Sequence, residues 1–383
     1  MLYFHLSLRI VKIKMTVNNS KNIVWQTKKL GEIIKLEYGK PLSKSQRKSN
    51  GLYPVYGANG EKDRTDEYYH DKQSIIVGRK GSAGEINLTE KKFWPLDVSY
   101  FVTFDYKKYD LNFLYYLLGN LELPKLAKGV KPGINRNEVY SINVKVPPLP
   151  EQQRIIAILD KAFAAIATAK ENAEKNLQNA RELFESYLQS VFANQRERWE
   201  EKKLGEVCEV IAGQSPEGKY YNDAGKGLPF YQGKKEFAER FIGKPTTWTS
   251  SITKEARQGD ILMSVRAPVG PVNFATEKIC IGRGLTAIRA SKLIDKEFLF
   301  NFLLKHKKEI VGNAGAVFNS INKTQIENIL IPLPLLIEQK RVIAKLDALS
   351  AETKKLEAIY RQKLADLEEL KKSVLRKAFE GEL

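Results

Sequence analysis

The sequence of 383 residues has few of the side chains that build covalent or metal-bound scaffolds. Its two cysteines, Cys208 and Cys280, are too few for a disulfide framework, which is typical of a protein of the reducing cytoplasm. The three histidines (His5, His70 and His306) are scattered, so no zinc-ligand spacing exists and no metal site is predicted. No run is long and apolar enough to cross a membrane, so no membrane partner is expected.

Recognisable catalytic motifs are also missing. The chain has no Walker P-loop, no dinucleotide fingerprint, no His-Glu-x-x-His and no Asn/Asp-Pro-Pro-Tyr/Phe of adenine methyltransferases. The nearest feature is the loop 78–84, in which Arg79 and Lys80 lie between glycines. It could surround a phosphate, although a Gly-rich hairpin turn is the alternative, and the matching segment 266–270 is not Gly-rich. We therefore predict that the chain has no active site of its own.

Positive charge is what the sequence has in excess. Lysine and arginine number 63 against 45 acidic residues, which gives a formal net charge of +18. Such an excess indicates a polyanionic partner, and nucleic acid is the commonest one.

The chain contains the same pattern twice. Residues 151–195 align without a gap to the segment that starts at Glu338, at an offset of 187 that places Leu177 over Leu364. Residues 25–33 likewise match 199–207. The offset changes in jumps between matched blocks, which places insertions in loops. We conclude that the chain is a tandem duplication of a globular unit followed by a long helix.

The two repeated helical segments are predicted to pack on each other. Neither contains proline, neither contains glycine before Gly381, and prolines precede both. Each is roughly 65–70 Å long at 1.5 Å per residue. An Ala-rich stripe in one copy matches a stripe rich in Leu and Tyr in the other, which favours packing of small against large side chains over two separately packed helices. The stripe of the first copy is Leu159, Ala162, Ile166, Ala169, Ala173, Asn176, Ala180, Leu183 and Tyr187, and Lys363 is the counterpart of Asn176.

These patterns predict an α/β (mixed α+β) fold with two globular domains and an antiparallel coiled-coil spacer. Strands are expected at 74–77 and 260–265, and Asp110 and Asp295 are expected to cap short helices. Residues 1–24 are interpreted as a leader outside the fold, in which Met15 offers an alternative start. The predicted divisions are 25–150 (first domain), 151–198 (first long helix), 199–337 (second domain) and 338–383 (second long helix).

Basic, amide and aromatic side chains in the loops are the predicted DNA contacts. Lys and Arg neutralise phosphates, and Arg, Asn and Gln can bond base edges. Any one of them alone is more readily a solvated surface residue, and Tyr56 and Tyr231 fit a shared core role at least as well as base stacking. The first domain contributes Lys40, Asn59, Lys62, Arg64, Arg79, Lys80, Lys131, Asn135 and Arg136, and the second contributes Gln214, Lys219, Tyr220, Gln232, Lys234, Lys235, Arg266, Arg283, Asn319, Asn322 and Lys323.

The residues resemble the specificity (S) subunit of type I restriction–modification systems over nearly the whole chain from Trp25. The resemblance is carried by the helix entries, by the end of the second helix and by two segments of the globular domains. These are Pro148-Leu149-Pro150-Glu151-Gln152-Gln153-Arg154, Glu338-Gln339-Lys340-Arg341, Leu375 to Leu383, Tyr53 to Gly60, and Gly259 to Gly270 with Ile281 to Leu285. Leu335-Leu336 departs from the Pro148-Leu149 of the first copy.

The resemblance implies a non-catalytic subunit that reads a split, asymmetric target in double-stranded DNA with two target recognition domains. It implies two modification (methyltransferase) subunits and motor-nuclease restriction subunits as partners, with S-adenosylmethionine, ATP and Mg²⁺ bound by those partners and no cofactor bound by this chain. Two other hypotheses stay open at this point: a self-contained nuclease or base-modifying enzyme with an unrecognised site, and an assembly protein whose basic loops never touch DNA.

Overall fold

The computed structural model describes residues 24–193, 199–310 and 320–383. These fall into two compact units, and each long helix is divided between them. Unit 1 comprises the chain up to Asn172 together with Leu364–Leu383, and unit 2 comprises Ala173–Lys363. The predicted leader and residues 194–198 at the end of the first helical segment lie outside the described residues.

Unit 1 is a mixed α/β domain built from three small antiparallel or mixed sheets. Its elements are β1 (Gln26–Lys29), β2 (Ile34–Tyr38), β3 (Tyr53–Gly57), β4 (Gly60–Thr65), β5 (Ile75–Gly78), β6 (Ile86–Leu88), β7 (Trp94–Pro95), β8 (Ser99–Phe104), α1 (Leu111–Asn120), α2 (Arg136–Tyr140), β9 (Asn143–Val146) and the start of α3 (Leu149–Ala193). The sheet orders are β2-β8-β5-β6, β4-β3-β7 and β1-β9. The 3-10 turns are Leu30–Glu32, Lys44–Gln46 and Leu123–Leu126.

Unit 2 repeats this plan with additional strands. Its elements are β10 (Glu200–Lys203), α4 (Leu204–Val207), β11 (Cys208–Ala212), β12 (Tyr221–Asn222), β13 (Leu228–Tyr231), β14 (Trp248–Thr249), β15 (Glu255–Ala256), β16 (Ile261–Ser264), β17 (Val272–Phe274), β18 (Ile279–Ile281), β19 (Leu285–Ala290), α5 (Lys296–Ile310), α6 (Lys323–Glu327), β20 (Leu330–Leu333) and α7 (Leu336–Glu380), with 3-10 turns at Gly218–Tyr220 and Lys234–Glu236. The order β11-β19-β16-β17 matches β2-β8-β5-β6, and β10-β20 matches β1-β9. The shared topology confirms the predicted duplication.

The alternation of buried and exposed residues in β2 shows why this segment forms a strand with one face on the core. Ile34 and Leu36 of β2 point into the core while Lys35 and Glu37 face solvent, as expected for a sheet covered on one face. The helix α1 packs its apolar face against this sheet through the fully buried Phe113. The first turn of α1 is capped as predicted, because the Oδ1 of Asp110 accepts from the amide of Asn112 at 2.8 Å.

Burial shows whether Tyr56 and Tyr231 are core residues or surface residues available for base stacking. Tyr56 and Tyr231 are 6% and 1% exposed, so both are core residues. The Tyr231 hydroxyl donates to the carbonyl of Gly243 at 2.9 Å, and the Tyr56 hydroxyl accepts from the amide of Glu90 at 3.1 Å. The loop 78–84 connects the antiparallel strands β5 and β6 and is a hairpin turn, a geometry that does not exclude contact of Arg79 or Lys80 with a phosphate.

The long helices run antiparallel within each unit, as predicted. In unit 1, Arg154 of α3 donates to the backbone oxygen of Leu383 at 2.7 Å, and Lys170 lies 2.7 Å from Glu368. Residue numbers therefore rise along α3 as they fall along α7. In unit 2, Arg181 Nε of α3 lies 3.5 Å from the carboxylate of Glu357 of α7.

Beyond Ala173, the predicted contact stripe is wrong at Asn176 and Leu183 and right at Ala180, which is 5% exposed, and at Tyr187, which is partly buried. Asn176 is exposed and Leu183 is 52% exposed, whereas Leu177 and Phe184 are partly buried one residue later. The seven-residue repeat itself holds at Ala173, Ala180 and Tyr187, but the side chain buried between two of them is the fourth residue after the first and not the third. Residues three and four positions on lie on the same side of a helix with 3.6 residues per turn, so spacing alone does not decide between them. The same displacement occurs on α7, where Lys363 is exposed and Leu364 is partly buried.

A buried glutamine near the first turn of each long helix forms hydrogen bonds with the globular unit in which that helix begins. The side chain of Gln152 is fully buried. Its Oε1 accepts from the amide of Asp110 at 2.9 Å, and its Nε2 donates to the carbonyls of Lys108 and Pro147 at 3.1 and 2.9 Å. One side chain thus satisfies three backbone groups at a loop–helix junction.

Gln339 repeats this arrangement in unit 2. Its Oε1 accepts from the amide of Asp295 at 2.7 Å, and its Nε2 donates to the carbonyls of Leu293 and Pro334 at 3.1 and 2.8 Å. Gln339 is fully buried as well. The glutamine of each helix-entry motif therefore has a structural role.

Candidate nucleic-acid interface

In each unit, the loop after a buried strand is bonded to the loop before a short helix. In unit 1 the amide of Gly81 donates to Pro132 at 2.8 Å, and the amide of Ile134 donates to the carbonyl of Arg79 at 3.1 Å. In unit 2 the amide of Ile321 donates to the carbonyl of Val265 at 3.0 Å. The fold therefore brings together candidate residues that lie more than 50 positions apart in the sequence.

The most organised group of candidate residues surrounds Tyr38, at the exposed end of β2. The guanidinium carbon of Arg79 lies 5.3 Å from the centre of the Tyr38 ring, and that of Arg136 lies 5.2 Å from it. Arg136 is also 5.9 Å from the ring of Tyr140. The ring of Tyr100 meets Tyr38 edge-on at 5.0 Å. We call Tyr38, Arg79, Tyr100 and Arg136 the arginine–tyrosine cluster.

Burial within the arginine–tyrosine cluster favours the neutral form of Tyr100. Burial raises the pKa of Tyr100 to about 12, and its hydrogen bond with Tyr38 acts in the same direction. Nearby Arg79 and Arg136 oppose this shift but do not reverse it. Both guanidiniums lie beside the ring of Tyr38, which is 48% exposed and can therefore be approached by a negatively charged ligand.

Two of the predicted asparagines cap helices. The Oδ1 of Asn135 accepts from the amide of Asn137 at 2.8 Å at the start of α2. The Oδ1 of Asn322 accepts from the amide of Gln325 at 2.9 Å at the start of α6, which forms a capping box. These oxygens are thus occupied, and the amide nitrogens are the groups through which either side chain would meet DNA.

Arg64 differs from Arg136, whose Nη1 donates to the carbonyl of Leu36 at 3.5 Å, because the guanidinium of Arg64 has a carboxylate partner as well as carbonyl partners. Its Nε donates to the carbonyl of Gly51 at 2.9 Å, its Nη2 donates to Leu52 at 3.1 Å, and its Nη1 lies 3.0 Å from Glu61. These contacts hold the β3–β4 hairpin against the preceding loop.

In unit 2, Ser215, which follows Gln214, bonds to both Gln232 and Arg283 and so brings these three predicted residues together. Ser215 Oγ donates to the Oε1 of Gln232 at 2.8 Å and accepts from the amide of Arg283 at 3.2 Å. A Cβ on Gly284 would lie 2.4 Å from the carbonyl oxygen of Gln232, so glycine is required for this close approach.

The remaining predicted residues lie at the surface, apart from Asn319, which lies outside the described residues. Two of them have carboxylate partners: Lys219 lies 2.7 Å from Glu217, and Lys323 lies 3.5 Å from Glu327. The exposed set comprises Lys40, Asn59, Lys62, Lys80, Lys131, Gln214, Lys219, Tyr220, Gln232, Lys234, Lys235, Arg266, Arg283, Asn322 and Lys323.

Sequence reasoning missed several aromatic side chains that accompany these cations. Tyr38 is 48% exposed although the alternation of β2 would bury it. The Nζ of Lys40 lies 4.8 Å from the ring centre of Tyr69, and that of Lys92 lies 5.1 Å from Tyr68. Tyr38 is the last residue of β2, and it is exposed because the strand ends there. The sequence does not show where the strand ends.

The two units present different chemistry at matched positions. Tyr38 pairs with Tyr100 across β2 and β8, whereas Ala212 pairs with Thr286 across β11 and β19. Among the described residues no group of three or more His, Cys, Asp or Glu side chains is placed to hold a metal ion. No helix within the described ranges is long and apolar enough to cross a membrane.

A duplicated mixed α/β domain with basic, aromatic loops, joined through an antiparallel helix pair, defines a nucleic-acid recognition scaffold. Comparison with known proteins identifies the family: the profile "Type I restriction modification DNA specificity domain" matches residues 22–177 and 196–366. The chain belongs to this family and is a type I specificity subunit with two tandem DNA-specificity domains.

Relatives and solved structures agree with this assignment. The MjaX specificity subunit of Methanocaldococcus jannaschii is 35% identical over 299 aligned positions, covering 72% of this chain and 69% of the relative. The EcoDI specificity subunit of Escherichia coli is 24% identical and covers 94% and 88% of the two chains.

Among solved structures, a chain from a study of assembly and conformational transition in a type I system has a TM-score of 0.77 at 27% identity, covering 95% of this chain and all of that chain (100%). The HsdS subunit of Thermoanaerobacter tengcongensis has a TM-score of 0.68 at 27% identity, with 96% and 99% covered.

Proposed function

We propose that this chain reads a split, asymmetric DNA target, with one half-site contacted by each unit. The observation that carries the proposal is the duplicated fold with unlike loops. The sheet order is shared, yet Tyr38 and Tyr100 of unit 1 are replaced by Ala212 and Thr286 in unit 2. Equivalent scaffolds with different side chains at the reading surface fit two different half-sites.

DNA methylation and DNA cleavage are assigned to partner subunits and not to this chain. Two methyltransferase subunits and the motor-nuclease restriction subunits assemble on this chain in the cytoplasm, and S-adenosylmethionine, ATP and Mg²⁺ bind to those subunits. Support comes from relatives that are named specificity subunits of type I restriction enzymes. The purified chain alone is then expected neither to cut nor to methylate DNA, and activity of the chain alone would contradict the assignment.

A map of methylated adenines tests the specificity role. Cells that carry this chain with its cognate modification subunit are expected to show a bipartite motif that is absent from cells carrying the modification subunit alone. The readout is a genome-wide methylation map, with co-purification showing that the two proteins are associated. An associated pair that adds no motif would contradict the proposal.

Lengthening both long helices by one turn is expected to widen the gap between the half-sites. Four residues inserted after Asn172 and four after Lys363 add about 6 Å to each helix. Both insertions fall at the boundaries between the two units, so contacts within each unit keep their partners. The gap should grow by one or two base pairs at about 3.4 Å per pair.

The methylation map again provides the measurement for the lengthened variant. A four-residue insertion in the exposed loop after Asp71, outside both long helices and away from the Gln152 anchor, is the length control and should leave the gap unchanged. An unchanged gap in the doubly lengthened variant would show that the helices do not set the spacing.

A further inference from the structure

The arginine–tyrosine cluster contains two positive charges without a carboxylate partner. Among the described residues, neither Arg79 nor Arg136 forms an ion pair, in contrast to Arg64, which lies 3.0 Å from Glu61. The Nε of Arg79 is buried and has no hydrogen-bond partner. Two cations on one tyrosine ring, 5.3 and 5.2 Å from its centre, repel each other when no counter-ion is present, and a bound anion would relieve that repulsion.

Both guanidiniums are held in place before any ligand arrives. The backbone of Arg79 is fixed on both sides, because its amide donates to Val98 at 2.9 Å and its carbonyl accepts from Ile134 at 3.1 Å. Its guanidinium carbon lies 5.3 Å from the centre of the Tyr38 ring, which restricts the side chain. Arg136 lies against the rings of Tyr38 and Tyr140, at 5.2 and 5.9 Å. Because little side-chain freedom remains to be lost, binding of an anion here costs less conformational entropy than at free surface lysines.

The surroundings offer hydrogen-bond donors and space. A cleft of about 410 Å³ is lined by Tyr38, Tyr100 and residues 133–137, which include Arg136, and Arg79 lies 5.3 Å from the ring centre of the same Tyr38. Guanidinium groups only donate, and the neutral tyrosine hydroxyls can also donate. The cleft therefore suits a negatively charged ligand whose oxygens only accept hydrogen bonds. A phosphodiester fits this description better than the neutral edge of a base.

Among the residues of unit 2 that the structure describes, none form an equivalent of the arginine–tyrosine cluster. The register of the matched sheets places Ala212 and Thr286 where unit 1 has Tyr38 and Tyr100. The matched loop contact begins at Val265 where unit 1 has Arg79. Lys323, the first residue of α6, stands where unit 1 has Arg136 at the start of α2. The aromatic support and both guanidiniums are thus missing from these matched positions of the second unit.

We propose that the arginine–tyrosine cluster binds one backbone phosphate of the DNA, independently of base sequence, next to the half-site read by unit 1. This rests on the proposed function, because it takes DNA as the ligand of this loop surface. Unit 1 then makes a stronger sequence-independent contact at this position than unit 2 makes at the matched position.

The test is DNA binding by the chain assembled with its modification subunits, measured by fluorescence anisotropy over about 50–200 mM salt. One probe duplex carries the motif found by methylation mapping, and the other has the same base composition without the motif. The double variant Arg79→Ala/Arg136→Ala is expected to lose about tenfold in affinity for both duplexes. The slope of log K against log salt should fall by about one, since a single phosphate contact is lost.

Two further variants separate the alternatives. Arg79→Lys keeps the charge and is expected to keep most of the affinity and the salt slope, whereas a bidentate base contact would be lost in this variant. Lys145→Ala, which removes one exposed charge from β9, is the control and should leave the slope unchanged.

A loss confined to the motif-bearing duplex would overturn the phosphate assignment in favour of base reading. Unchanged affinity and slope in the double variant would show that this cluster does not touch DNA. Neither outcome bears on the proposed function, which fails only if the wild-type complex directs methylation to no motif.

Discussion

Replacing Gln152 with alanine is expected to destabilise unit 1 by about 3–5 kcal/mol. The side chain is fully buried and bonds the amide of Asp110 and the carbonyls of Lys108 and Pro147. Truncation leaves all three groups without that partner, and each unsatisfied buried group costs about 1–3 kcal/mol. The measurement is urea denaturation of the full chain, together with hydrogen exchange at the Asp110 amide.

The neighbouring residue is a matched control. Gln153 is exposed on the same turn of α3, and its alanine variant is expected to change stability by less than about 0.5 kcal/mol. The amide of Asp295, bonded by Gln339 in unit 2, should keep its protection in Gln152→Ala. If Gln152→Ala and Gln153→Ala were equally stable, the buried glutamine would have no anchoring role.

The second large effect is expected from Phe192→Ala, at about 3–5 kcal/mol in unit 2. Phe192 is 1% exposed and packs against Phe298 and Phe302, with ring centres 5.3 and 5.6 Å away. Removing the ring leaves a cavity and abolishes these aromatic contacts. In unit 1, Phe379 lies 5.3 Å from Phe113, and Phe379→Ala should destabilise that unit in the same way.

Leu183 on the same helix is the control for Phe192. It is 52% exposed, so Leu183→Ala should lower the free energy of unfolding by only about 0.5 kcal/mol. Thermal and urea denaturation of the full chain measure both changes. Equal stability of the two variants would contradict the packing of the end of α3 into the core of unit 2.

Much of the fold could be predicted because repeated sequence marks repeated structure. The offset of 187 residues that aligns the helices also aligns Gln152 with Gln339, whose bonding partners match one by one. Local chemistry sufficed for the caps: Asp110 Oδ1 accepts from Asn112, and Asp295 Oδ1 accepts from the amide of Glu297, both at 2.8 Å. The anchoring role of the glutamines was not predictable, since their partners come from loop geometry.

The candidate site was predictable as a set of residue types and not as an arrangement. Arg79 and Arg136 were chosen for their charge in Gly- and Asn-containing loops, and the structure brings both to Tyr38. Tyr38 itself was missed because its exposure depends on where β2 ends. Arg64 was indistinguishable from the other arginines until its bonds to Gly51 and Leu52 were visible.

The division of α7 between the units has a consequence for synthesis on the ribosome. Unit 1 includes Leu364–Leu383, and Ala378 and Phe379 lie in its hydrophobic core. The interval from Asn172 to Leu383 takes roughly 10–40 s to translate at about 5–20 residues per second. The domain made first is therefore completed last, and during that interval its apolar surface is open to chaperones and to pairing with the helices of neighbouring nascent chains.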